Sequence, residues 1–367
     1  MDKKKKIDVH SPEARAIVEE ISRTTFTREG LMVAFPTCLP GETLPIVHDE
    51  GRITALDATA EGMIYGGTSG RRVHIFGANF HGLSGMVLDM GVVEDATECA
   101  AVCCGASKVA AFVNGPKGGR IFSSAPAHLR DDMIQEWGFG RPELTPVGAW
   151  NSGTTFIDAT ADPTGRTVIG VTATNLFQMD LDTLTLAVIG EIQGSGRVAF
   201  ASGGGVVGQD GDSHLWHWDV KTAVLRRRAF PLPGGAWNHP IVWGRGARAG
   251  LLYTADAAGN LFSFDETKGF SGPLGRTRLT PVGPMAVTLD GRLFGFCGDE
   301  IAKMFCYDPG SGKVSDLGVA ASVVERRRYG YVFGDAVTGR DGEIVFGEND
   351  NSGHLWLYFP KIQELKA

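Results

Sequence analysis

The stretch Asn175-Leu176-Phe177 is one copy of a phrase that recurs along the chain: a polar residue, an aliphatic one, then an aromatic one. It returns as His74-Ile75-Phe76, Arg120-Ile121-Phe122, His214-Leu215-Trp216, Asn260-Leu261-Phe262, Lys303-Met304-Phe305 and His354-Leu355-Trp356. The aromatic positions 76, 122, 177, 216, 262, 305 and 356 are separated by 46, 55, 39, 46, 43 and 51 residues. A period of this length, held over seven units, is that of a repeated supersecondary unit of four short strands.

The flanks agree. Short β-branched or aromatic runs entered through glycine precede the phrase, among them Gly62-Met63-Ile64-Tyr65-Gly66-Gly67 and Gly342-Glu343-Ile344-Val345-Phe346-Gly347. A turn and a further run follow it, as in Leu186-Ala187-Val188-Ile189-Gly190. These features predict strands joined by tight turns. Glycine, 51 of 367 residues, has the abundance such turns require and no collagen period. From about residue 45 to 360 the chain resembles a β-propeller, and seven units give an all-β, seven-bladed propeller with four-stranded antiparallel blades. The regular G-H…W-D pairing of WD40 blades, the kelch double glycine and the sialidase aspartate box are not found, so the resemblance names an architecture and no subfamily.

The division expected is residues 1–44 as an N-terminal helix and closing strand and 45–367 as the propeller, one domain overall. The last unit, Asp335 to Pro360, holds about three strands, and an open edge would leave backbone groups unpaired. The donor expected for its fourth strand is Thr25-Phe26 or Leu31-Met32-Val33-Ala34-Phe35. Ahead of it, Ser11-Pro12 caps a short helix with Ala14, Ile17, Val18 and Ile21 on one face. The 55-residue spacing marks an insertion near Ser123 to Pro146, with a second helix expected over His128 to Trp137.

Composition narrows the partners. The net charge is −7, which argues against nucleic acid; the triplets Arg226-Arg227-Arg228 and Arg326-Arg327-Arg328 would split between two faces of a strand. No run approaches the apolar length of a membrane span, and the basic start Lys3 to Lys6 leads into a helix signal, so no membrane role is expected. Six cysteines without a C-x-x-C pair read as buried thiols in a reducing compartment, and cytoplasmic placement is the expectation. No cofactor and no metal are expected. Gly203-x-Gly205-x-x-Gly208 is not followed by a helix, and Asp210, Asp212 and the Glu348 to Asn351 run do not extend to a calcium loop.

In propellers ligands sit over the central channel, on the rim made by blade-to-blade connections and by the turns before the third strands. The resemblance therefore implies a rim site. Its candidates are the phrase leaders His74, Arg120, His214 and His354, and the repeated tetrapeptide Gly-Ala-Trp-Asn at Trp150-Asn151 and Trp237-Asn238, the latter followed by His239. The connection through Arg326, Arg327, Arg328, Tyr329 and Tyr331 adds guanidinium donors and phenols. Tryptophan faces suit sugar rings. Some seven-bladed propellers are polysaccharide lyases, and that weak resemblance implies β-elimination on a uronate in a small acidic saccharide. There Arg327 would neutralise the carboxylate, and His239, His74 and Tyr329 would move protons, while Trp150, Asn151, Trp237, Asn238, Arg120, His214 and His354 bind the sugar. The long-spaced histidine pattern of such lyases is missing. The alternative is a non-catalytic propeller that binds a protein or other ligand; a metal-dependent enzyme would need ligands meeting on the axis.

Overall fold

The structure is a computed structural model that describes residues 29–36, 46–81, 84–126, 143–148, 153–246, 250–323 and 328–361, with 11, 12 and 15. The described strands form five four-stranded antiparallel sheets and one nine-stranded sheet. In the latter, parallel pairing of Gly244–Gly246 with residues 285–287 joins two further four-stranded blades and Tyr329–Gly330 adds a short edge strand, seven blades in all. Their innermost strands are Arg52–Ala58, Glu98–Cys104, Phe156–Ala161, Gly194–Phe200, Gly244–Gly246, Val282–Val287 and Phe333–Thr338. Six of the seven successive pairs of innermost strands pack side by side, including the seventh with the first, and the fourth and fifth blades meet through the bridge Ala201–Gly250. The chain is a seven-bladed β-propeller.

The recurring phrase falls on the third strand of every blade: Val73–His81, Gly118–Ser124, Asn175–Asp180, His214–Asp219, Asn260–Asp265, Lys303–Asp308 and His354–Pro360. Successive residues of a strand face opposite sides of the sheet, so its two apolar positions serve different neighbours. Leu176 packs with the fourth blade and Phe177 with the second. Ile75 likewise faces the second blade and Phe76 the seventh; Leu355 faces the first and Trp356 the sixth. The other four copies follow the same rule, the aliphatic residue toward the following blade and the aromatic toward the preceding one. Among the described residues the buried core is accordingly seven clusters, one between each pair of adjacent blades.

The second strand makes room for these rings. Phe76, Phe177, Trp216 and Phe305 lie opposite Gly66, Gly170, Gly208 and Gly295 in register. A Cβ at Gly170 would stand 2.1 Å from the Phe177 ring, closer than any van der Waals contact. Part of the glycine excess therefore serves packing beneath aromatic rings rather than turns.

Ring closure follows the expectation for the second of the two donors. Gly30–Pro36 pairs antiparallel with His354–Pro360, from Gly30 opposite Pro360 to Pro36 opposite His354, and supplies the outer strand of the seventh blade. Met32 and Ala34 join that blade's core, while Ala34 N–H donates to Ser322 Oγ at 3.0 Å. The expected N-terminal helix falls mostly outside the described residues and is not established. Residues 127–142, with the expected helix from 128 to 137, also lie outside them. The five described cysteines, 99, 103, 104, 297 and 306, are free and buried, and burial pushes the Cys306 thiol up to about 12. No described helix is long and apolar enough to cross a membrane.

The aromatic-over-glycine contact gives a direct test. Gly170→Ala should cost about 1–3 kcal/mol in urea unfolding through overpacking. Adding Phe177→Leu should make the double variant less destabilised than the sum of the two singles. Strict additivity would remove the steric account.

Candidate functional site

The third-strand leaders His74, Arg120, His214 and His354 are each held by a nearby partner. His74 is buried, with Nδ1 2.9 Å from Asp89 Oδ2 and Nε2 2.7 Å from Glu50 Oε2. Ionised carboxylates only accept hydrogen bonds, so both ring nitrogens carry protons and donate. Burial opposes that charge, but the bonds to Asp89 and Glu50 outweigh it and raise the His74 pKa above its ordinary value. Burial would also raise the Glu50 carboxyl; hydrogen bonds from Arg72 and His74 instead hold it at about 2. Arg71 adds a further ion pair to Glu50 at 2.8 Å. His74 thus has no ring nitrogen left to accept a proton.

The other leaders stay with their own blades or connections. His354 Nδ1 lies 3.0 Å from the buried Glu348 carboxylate, and Arg328 donates to the same carboxylate at 3.1 Å. Burial raises the Glu348 carboxyl, but these two partners bring it below its ordinary value. Arg120 pairs with Asp95 at 2.6 Å and lies over the Phe122 ring; His214 Nδ1 is 2.9 Å from Ser213 Oγ. Trp237, expected as an open stacking face, is buried in the core between the fourth and fifth blades, and its Nε1–H donates to Pro233 O at 2.9 Å. His239 stacks on that indole at 5.3 Å and is 3.3 Å from Ala255 O through Nε2; Asn238 beside it is exposed. Tyr329 pairs with Ala321 at the outer edge of the sixth blade. Trp150, Asn151 and Arg327 lie outside the described residues. The rim candidates are therefore dispersed by blade.

A different set meets on the axis. From the fourth blade, Arg197 reaches Asp335 and Gly334 O of the seventh, the latter at 2.8 Å, and Thr54 O of the first at 3.5 Å. From the fifth, Arg245 Nη1 donates to Thr160 Oγ1 of the third at 3.1 Å. These blades are not neighbours, so the contacts must cross the centre of the ring. The Arg197 side chain keeps 25% exposure there, enough for water to reach it.

Three aspartates of the innermost strands complete the set, and each carboxylate accepts a backbone N–H from the next blade. Asp335 Oδ2 takes Leu56 N, Asp57 Oδ2 takes Cys104 N and Asp158 Oδ2 takes Val198 N, each at 2.8 Å. Burial raises the Asp57 carboxyl above its ordinary value. Burial pushes Asp158 up to about 6, with Arg197 and Arg245 offsetting part of the effect. Arg197 is disfavoured by burial yet held more firmly charged by Asp335 and Asp158. Among the described residues no three histidine, cysteine or carboxylate side chains are grouped as metal ligands.

Sequence reasoning passed over this set by attending to the third strands. Its signal was present as a second recurrence, Asp57-Ala58, Asp158-Ala159 and Asp335-Ala336, on the innermost strands. A cavity of about 450 Å³ lies elsewhere, on the outer strands of the fourth and fifth blades, lined by Phe230, Leu232, Phe262, Phe270 and one charged group, Lys268.

No protein-family model matches the chain, and no curated protein matches it in sequence. Among solved structures it is similar to selenomethionine-substituted virginiamycin B lyase from Staphylococcus aureus, with a TM-score of 0.60 and 9% identity. The match covers 89% of this chain and 98% of that one. At this identity the likeness is one of fold.

The electrostatics of Asp158 can be read from stability. Its pKa of about 6 exceeds its ordinary 3.8, so its stability contribution is complete below 3.8 and is lost as pH rises through about 6. Asp158→Asn removes that loss while keeping an acceptor for Val198 N–H. The gain of Asn over Asp should be larger at about pH 8 than at about pH 4, by roughly 2–3 kcal/mol in chemical unfolding. An equal difference at both pH values would contradict the raised pKa.

Proposed function

We propose that this propeller binds a small carboxylate-bearing ligand, with an acidic saccharide as the class, in its axial channel through Arg245. One observation carries the reading. Arg245 is a half-buried guanidinium on the axis, and its one hydrogen bond among the described residues goes to a neutral hydroxyl, Thr160 Oγ1. A guanidinium has five N–H donors in a planar fork that matches a carboxylate. Arg197, already committed to Asp335, is a second positive centre, and both guanidinium groups act on Asp158. Their partners Thr160 Oγ1, Thr54 O and Gly334 O are polar groups of the kind that orient a sugar.

The β-elimination reading needs a base and an acid beside the bound uronate. His74 has both nitrogens on carboxylates, Tyr329 lies at an outer edge, and His239 is stacked on Trp237. Their placement favours binding without elimination.

Calorimetric titration with D-glucuronate tests the proposal. We expect saturable binding that Arg245→Gln weakens by roughly tenfold or more, the loss typical of a charged hydrogen-bonding pair. No ultraviolet absorbance of an unsaturated uronate should develop. Equal affinity in wild type and Arg245→Gln, or growth of that absorbance, would overturn the reading.

A further inference from the structure

Resting on the reading of the channel as an anion site, we propose that the ligand is bound together with one proton, which Asp158 takes up from solvent. The axial charges are unevenly distributed. Two guanidinium groups face three carboxylates, yet neither guanidinium donates a hydrogen bond to Asp158 among the described residues. Arg197 is spent on Asp335, Gly334 O and Thr54 O, and Arg245 on Thr160 Oγ1. Asp158 is 3% exposed and has one hydrogen-bond donor, Val198 N–H.

The groups that act on Asp158 are therefore Arg197 from the fourth blade, Arg245 from the fifth, Asp335 from the seventh and the Cys103 thiol from the second, which also senses Asp57 of the first. Of these only the two guanidinium groups favour its charge, and they do so through space. An anion seated on Arg245 cancels much of that field and adds a negative charge of its own. The cheapest response of a carboxylate already desolvated is to accept a proton, one O–H bond formed on Asp158 for each anion bound. Asp57 is likewise raised by burial and also senses Arg245, but three donors hold its oxygens, Cys104 N–H, the Cys104 thiol and Ala58 N–H, against the single donor on Asp158, and the proton is therefore assigned to Asp158. The strength of uptake should thus be set by pH, with tighter binding in mild acid, where a sugar carboxylate is still ionised.

Calorimetry with D-glucuronate in two buffers of different ionisation enthalpy counts the protons. At about pH 7 we expect approximately one proton taken up per ligand, and affinity lower by roughly tenfold at pH 8 than at pH 6. Asp158→Asn, with its fold checked by circular dichroism and thermal melting, should bind with similar affinity at both pH values and release the proton requirement. Wild-type binding that depends on Arg245 but takes up no proton, or a variant that keeps the wild-type pH dependence, overturns this inference and leaves the anion site standing. Absence of saturable wild-type binding even at about pH 5.5 overturns both. The proton count on wild type decides the matter if the variant fails to fold.

Discussion

A blade of this protein can bury its two faces only against the blades on either side of it. Every other feature follows from that constraint. The seven apolar clusters lie between blades, none within one, so an isolated unit would expose both faces of its sheet. Closing the ring is the arrangement that leaves no face uncovered, and the pairing of Gly30–Pro36 with His354–Pro360 joins the two ends of the chain in one sheet. The recurring phrase is the local form of the same demand, one side chain sent forward and the next sent back.

Closure also explains where charge can gather. A third-strand residue lies well out along its blade, and the leaders His74, Arg120, His214 and His354 find partners nearby, as His74 does in Glu50 and Asp89. Innermost strands face one another across a narrow space, so charges there act on each other whatever their separation in sequence. Arg197 and Asp335 are joined although they stand 138 positions apart in sequence. Burial next to unlike charge has opposite results at the two places. Glu50 is drawn down to about 2 by direct donors, whereas Asp158, with no guanidinium bonded to it, is left at about 6.

The architecture was legible because it is written in short-range alternation. Seven polar–aliphatic–aromatic phrases 39 to 55 residues apart point to seven third strands, and the incomplete last unit points to an N-terminal donor, Thr25-Phe26 or Leu31–Phe35, of which the structure uses the second. The site was much less so. A polar residue at a strand start looks the same whether it faces a ligand or caps its own turn, and Trp237 reads as an exposed loop aromatic until the fifth blade is packed over it. Asp57, Asp158 and Asp335 resemble ordinary strand or turn aspartates in isolation. Their strands carry bulges at Ile53/Ala55, Phe156/Asp158 and Phe333/Asp335, whose register shifts no local pattern announces.

The central claim is that functional chemistry resides on the axis and not on the rim. Its most direct measurement is a crystal structure determined with D-glucuronate present. The expected result is a carboxylate within hydrogen-bond distance of the Arg245 guanidinium, inside the channel and close to Asp158. A sugar held instead on the rim beside His239, Arg120 or Tyr329, with the axial ion pairs undisturbed, would contradict it.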